Sequence, residues 1–96
     1  MAAMQVHAAE AAALLKKMAN ESRLLVLCTL VDGEMSVSQL NAVIPLSQSA
    51  LSQHLAALRE AQLVSTRREA QTIYYALNGD EATRVLAVLQ SIYCPE

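Results

Sequence analysis

The sequence predicts a mainly α-helical chain with one small β-hairpin, and three observations predict it. More than half of the 96 residues are apolar, yet Trp and Phe are absent, so the core has to be built from Leu, Val, Ala and Met, which suits packed helices. Apolar residues recur at helical spacing along most of the chain, as at Leu51, Leu55 and Leu58. Only the stretch from Leu63 to Leu77 departs from that spacing, with two short β-prone runs. A chain of this length makes one domain, 1–96. It has no internal repeat and no Gly/Pro-rich hinge, and its two glycines, Gly33 and Gly79, fall at element boundaries.

The first helix, about 5–19, is clearest from His7 to Ala19, where alanines and Leu14 and Leu15 leave it apolar on nearly every side. A helix of that kind is usually sandwiched between partners. Asn20 is placed to cap a second helix from Glu21 to Val31, with Leu24, Leu27, Cys28 and Val31 on one face, and Asp32-Gly33 ends it. Ser36-Val37-Ser38-Gln39 then has the form of a capping box, opening a short third helix that runs to about Val43. Pro45 discourages its continuation, and Ser47 is a good N-cap for a fourth helix. After it, Leu63 to Arg68 and Thr72 to Leu77 form a hairpin wing around Glu69-Ala70-Gln71, with Arg67 and Arg68 near its tip. The last helix, about 80–94, carries Ala82, Val85, Leu86, Leu89, Ile92 and Tyr93 at helical spacing, with Val88 off that stripe as a second apolar contact.

The fourth helix is the most informative element. At about 100° per residue, Leu51, Leu55 and Leu58 make one narrow stripe, with Ala50 and Ala61 at its edge. Gln48, Ser49, Ser52 and Gln53 fall on the opposite side, and Ala56, one turn later, is too small to block close approach to another surface. Amides and hydroxyls gathered on the first two turns suit the major groove of DNA, where Gln pairs with adenine and Ser serves any base. On this helix alone, a solvated amphipathic surface explains the same residues equally well. The flanking order changes that balance: a helix, a tight turn, the polar-faced helix and a hairpin, together a winged helix-turn-helix with its two-helix unit at about 36–61 and its wing at about 63–77.

The formal charge is −2, which excludes binding nucleic acid by bulk electrostatics alone. From Ser47 to Leu77, however, Arg59, Arg67 and Arg68 stand against Glu60 and Glu69, so this half is +1 and the remainder −3. Only one half of the molecule can face DNA. No charge falls between Met35 and Leu58, but polar residues and Pro45 interrupt the segment too often for a membrane span, and the N-terminus lacks a basic region ahead of its alanines. The expected location is therefore the cytoplasm, on the nucleoid. Enzyme chemistry has no candidate: there is no Gly-rich phosphate loop, no carboxylate pair beside a base and no nucleophile triad. The two outer helices, both apolar beyond one face, predict a two-fold homodimer packed through them, rather than a monomer that buries them internally. Such a dimer would set two reading helices about one DNA turn apart, ~34 Å, on a pseudo-palindromic operator.

The stretches LLKKMANESRLLVLCTL, EMSVSQL and LSQSALSQHLAALREAQLVSTRREAQTIYYAL, with the last helix, resemble the ArsR/SmtB family of bacterial repressors over essentially the whole chain. The resemblance implies base and groove contacts from Gln48, Ser49, Ser52 and Gln53, and backbone or minor-groove contacts from the wing residues Arg67, Arg68 and Gln71. Where the family's wing usually has Gly, this sequence has Ala70, so a different turn is expected at the tip. Many family members sense metals through E-L-C-V-C-D-L ahead of the reader, but here the same stretch is Glu34-Met35-Ser36-Val37-Ser38-Gln39-Leu40, with hydroxyls for thiols. The other family site uses Asp and His on the last helix, which here has no His. No metal or cofactor is expected, and His54, beside the leucine stripe, suits a hydrogen bond within the protein.

Cys28 and Cys94 read by themselves as a buried thiol and a loose terminal one. The arginine-rich wing and the two cysteines are most similar to a two-cysteine branch of the family that senses oxidants or reactive sulfur, and both positions match. That resemblance implies a switch in which oxidation or persulfidation at Cys28 and Cys94 weakens DNA binding. A Cys28–Cys94 link closes a loop worth ~4 kcal/mol in the chain-entropy model, and a coupling of only ~1–3 kcal/mol changes affinity about 5- to 150-fold. Against it, neither cysteine has a basic neighbour in sequence, and a helix C-terminus disfavours thiolate at Cys94. Two alternatives remain at this stage: a regulator without thiol sensing, acting constitutively or by displacing a silencing protein, and an interaction dimer that does not bind DNA.

Overall fold

Capping chemistry sets most helix boundaries in the computed structural model, which describes residues 2–94. The order is α1 (Ala2–Met18), α2 (Glu21–Leu30), β1 (Met35–Ser36), α3 (Val37–Val43), α4 (Gln48–Glu60), β2 (Val64–Glu69), β3 (Thr72–Leu77) and α5 (Glu81–Tyr93). The first and the last two residues of the predicted 1–96 domain lie outside the described residues. Asn20 Oδ1 accepts from the backbone N–H groups of Ser22 and Arg23, at 2.9 and 3.1 Å, and starts α2. At α3 the capping box forms in full: Gln39 N donates to Ser36 Oγ, and Ser36 N donates to Gln39 Oε1. Beyond the Ala61 C-cap of α4, Gln62 has φ 64°, which lets Leu63 N reach back to Leu58 O at 3.0 Å and Gln62 N to Arg59 O at 2.9 Å.

The core is aliphatic, as the composition requires. Val26, Leu27 and Leu30 of α2, Leu40 of α3, Leu51, Leu55 and Leu58 of α4, Leu63, Val64, and Ala82 and Leu86 of α5 are buried together with Met18. Two readings of the sequence need correction here. The buried face of α2 is Val26, Leu27 and Leu30; Cys28 and Val31 are exposed, because the face expected from Leu24, Leu27, Cys28 and Val31 is rotated towards the open side of the helix. The hairpin also gains a third strand. Met35 and Ser36 pair antiparallel with Tyr75 and Tyr74, giving the sheet order β1-β3-β2. A two-residue strand has no periodicity to read, and only its partner on β3 defines it.

In the wing, Val64 pairs with Leu77 and Glu69 with Thr72, which leaves Ala70 and Gln71 as a two-residue turn. Ala70 has φ 57°, the left-handed region that glycine adopts without strain, so the turn keeps the glycine geometry without glycine. No helix among the described residues is long and apolar enough to cross a membrane.

Candidate nucleic-acid interface

α3 and α4 meet across Ile44-Pro45-Leu46-Ser47, and the turn is held from both ends. Ile44 is buried, and its N–H donates to Leu40 O at 2.9 Å. The Asn41 side-chain amide donates to Leu46 O at 2.8 Å. Ser47 Oγ accepts from Ala50 N at 3.1 Å, the N-cap that the sequence predicts. With Leu51, Leu55 and Leu58 wholly buried, the rotation of α4 about its axis is fixed. Gln48, Ser49, Ser52, Gln53 and Ala56 are thereby all exposed on the outward side. Among the described residues, the side chains of Gln48, Ser52 and Gln53 form no hydrogen bond within the protein, while Ser49 Oγ lies 3.4 Å from Ser47 Oγ. Their donors and acceptors are free for a partner.

A second lock joins α4 to the N-terminal half. Arg23 Nε donates to His54 Nδ1 at 3.2 Å, and Arg23 Nη1 donates to Lys17 O at 3.2 Å, so one guanidinium ties α4 to α2 and closes the end of α1. An imidazole nitrogen that accepts is unprotonated, so this bond uses the neutral ring with its proton on the other nitrogen. The hydrogen bond expected for His54 is therefore present, and its partner Arg23 stands thirty-one residues away, beyond the reach of any local sequence pattern.

The two wing arginines have different surroundings. Arg67 Nε donates to Glu34 Oε2 at 3.0 Å, Nη2 pairs with Glu34 Oε1, and Nη1 lies 3.5 Å from Glu69 Oε1. Its guanidinium carbon stands 4.7 Å from the centroid of the Tyr74 ring, the residue opposite it on β3. The side chain spans the sheet from β2 across β3 to the residue preceding β1. Glu34 is held below its usual carboxylate range by the Arg67 hydrogen bond, and Arg67 is raised well above its own. A DNA contact by Arg67, as the sequence reading has it, requires release from Glu34. Arg68, the next residue, makes no ion pair among the described residues and is exposed. Gln71 lies at the wing tip and, with Thr72 and Ile73, faces Ser36, Val37 and Ser38 across a cleft of about 250 Å³.

Away from this face, Cys28 and Cys94 line one cavity of about 330 Å³ with Leu24, Leu86, Leu89, Gln90 and Tyr93. Both are free thiols. Although Cys28 is exposed as a residue, partial desolvation of its thiol raises it above its ordinary range, and the nearby Cys94 raises it further. Ser36, which stands where metal-sensing relatives carry a thiol, uses its hydroxyl to cap α3. Among the described residues, no three His, Cys, Asp or Glu side chains are grouped so as to hold a metal ion.

The outer helices present a different surface. α1 packs through its last turns only, with Met18 buried and Ala11 and Leu14 half-buried; Met4, Val6 and Leu15 are exposed. On α5, Ala82 and Leu86 face inward, while Val88 and Ile92 are 59% and 60% exposed on another side of the helix.

The profile of the bacterial regulatory protein, arsR family, matches residues 20–66, from the α2 cap to the first residues of β2. The transcriptional activator HlyU of Vibrio cholerae is 52% identical over 95% of this chain and 84% of its own. The biofilm growth-associated repressor of Agrobacterium fabrum is 48% identical over 96% of this chain and 79% of its own. The solved structure of reduced HlyU from Vibrio cholerae superposes with a TM-score of 0.89 at 50% identity, covering 98% of this chain and 99% of that one.

Proposed function

The chain belongs to the arsR family of bacterial regulatory proteins and is a DNA-binding transcriptional regulator, and on that premise we propose that it reads a pseudo-palindromic operator as a homodimer whose affinity is set by the Cys28–Cys94 pair. The observation that carries the reading role is the outward face of α4. Four short polar side chains stand exposed on a helix whose opposite face is wholly buried, with Ala56 leaving room for the groove wall. Gln48, Ser49, Ser52 and Gln53 supply base contacts. Arg68 and Gln71 meet the DNA backbone beside them, and Arg67 fixes the distance of the wing from β1 and joins the contact where DNA draws it from Glu34.

Homodimerisation rests on the apolar exposure of α1 and of the Val88–Ile92 side of α5, which no other element of the chain covers among the described residues. The thiol switch rests on both cysteines opening onto one cavity between α2 and the end of α5. α5 also carries the dimer face, so a bond between the cysteines that shifts its end relative to α2 changes the spacing of the two α4 helices. That a relative has been solved in a form named reduced supports the same chemistry.

Gel-shift titration on DNA from the protein's own promoter tests the proposal, with reduced protein and with protein treated with a peroxide or polysulfide donor, together with mass spectrometry of Cys28 and Cys94. Reversible loss of affinity with a linked pair is the expected result. Unchanged affinity despite modified cysteines would leave a regulator without a thiol switch, and failure to bind any duplex at low salt would remove the reading role.

A further inference from the structure

The cavity between Cys28 and Cys94 has a chemistry more specific than a thiol pair requires. Buried Leu86 forms its floor and half-buried Leu24 and Leu89 its sides, while the exposed Cys28, Tyr93, Cys94 and Gln90, whose side chain is an amide, line its open rim. At about 330 Å³ it falls at the lower end of the size of small-molecule sites. A hydrophilic oxidant entering it would exchange hydrogen bonds with water for contact with leucines, whereas a hydrocarbon group would gain by leaving water. We propose that this cavity binds the oxidant of the switch and selects an apolar organic hydroperoxide over hydrogen peroxide. The proposal rests on the thiol-switch reading and names its substrate class.

The position of the cavity keeps it open in the dimer. Gln90 and Val88 are two residues apart on α5, which sets their side chains about 160° apart around the helix. Gln90 lines the cavity whereas Val88 and Ile92 do not, and the apolar face offered to a second copy lies on the Val88–Ile92 side. Binding also answers a kinetic difficulty. With Cys28 raised by burial and by Cys94, little of it is thiolate at neutral pH, so a chance collision with an oxidant is unproductive. An oxidant held against the thiols converts that collision into a step within one complex.

The reaction balances as follows. One thiol, losing its proton, attacks the distal oxygen of the hydroperoxide; an S–O bond forms, the O–O bond breaks, and the alkoxide leaves and takes up a proton to become the alcohol. The other thiol, losing its proton, attacks the resulting sulfenic sulfur; the S–S bond forms, and the hydroxyl leaves with a proton as water. Two thiols lose two electrons and the hydroperoxide gains them.

The test follows formation of the Cys28–Cys94 disulfide in the intact reduced protein by mass spectrometry, with cumene hydroperoxide and with hydrogen peroxide, each rate divided by that of the same oxidant with glutathione. The expected result is a preference for cumene hydroperoxide of at least about tenfold, with a rate that saturates as the hydroperoxide is raised, while the hydrogen peroxide rate stays linear. Leu24→Asn, which puts an amide in the wall, should abolish the preference. Gln90→Leu, an exposed position that leaves the fold alone, should increase it. A normalised ratio near one in both the parent and Gln90→Leu would overturn selection while leaving the switch standing. No disulfide with either oxidant would overturn the switch and selection with it.

Discussion

Helices α4 and α1 meet solvent in opposite ways. α4 has one face of leucines wholly buried and an opposite face of amides and hydroxyls, so burial and exposure follow its chemistry. α1 is longer, 17 residues, and apolar nearly all round, yet among its described residues only Met18, the last, is buried. α4 is satisfied within one chain, and its exposed groups suit a hydrogen-bonding partner. α1 is unsatisfied within one chain, and its exposed groups suit another apolar surface. On the proposed function the difference separates reading from association, each with its own helix face and with α5 contributing to the second.

Substitutions can break that separation, and the largest expected effect lies on the association side. Val88→Glu puts a charge in the face offered by α5; by sedimentation it should give a monomer, and operator affinity should fall by more than tenfold because one half-site binds alone. Val43→Glu, at an equally exposed valine on α3, should leave the mass of the dimer unchanged. On the reading side, Gln53→Ala should cost ~1–3 kcal/mol on the operator and little on random DNA, while the dimer persists. Equal losses on both DNAs would place α4 among backbone contacts.

The wing sharpens the comparison with smaller effects. Ala70→Gly relieves the left-handed strain at the turn and should stabilise the domain by ~0.5–1 kcal/mol in denaturant titration, with operator preference unaltered. Arg68→Ala removes one free cation from each protomer and should lower the slope of log affinity against log salt by about 1.8 for the dimer, roughly a twelvefold change between 50 and 200 mM. Arg67→Ala should change that slope less than Arg68→Ala does, because its charge is shared with Glu34 and Glu69. Its pH dependence follows from Glu34. The folded carboxylate sits below its usual range, so the Arg67 pair is intact above the unfolded value near 4.5 and is lost as pH falls through the lower folded value. The Arg67→Ala variant should lack that acid-side component of wing unfolding.

The sequence by itself determined the capped boundaries of α2, α3 and α4, the leucine stripe of α4, and therefore which of its residues face outward. Those features depend on groups within a few positions of one another: Asn20 with Ser22 and Arg23, Ser36 with Gln39, Ser47 with Ala50, and leucines three and four apart. The tertiary structure alone decided the features in which partners are far apart in the chain. These are β1, which exists because Tyr74 and Tyr75 lie beside it; the exposure of Cys28, which depends on which side of α2 the other helices cover; the Arg67–Glu34 pair; and the meeting of Cys28 with Cys94 at one cavity. The physical reason is range: caps and stripes are short-range bonds written into neighbouring residues, whereas packing partners are chosen by the whole core at once.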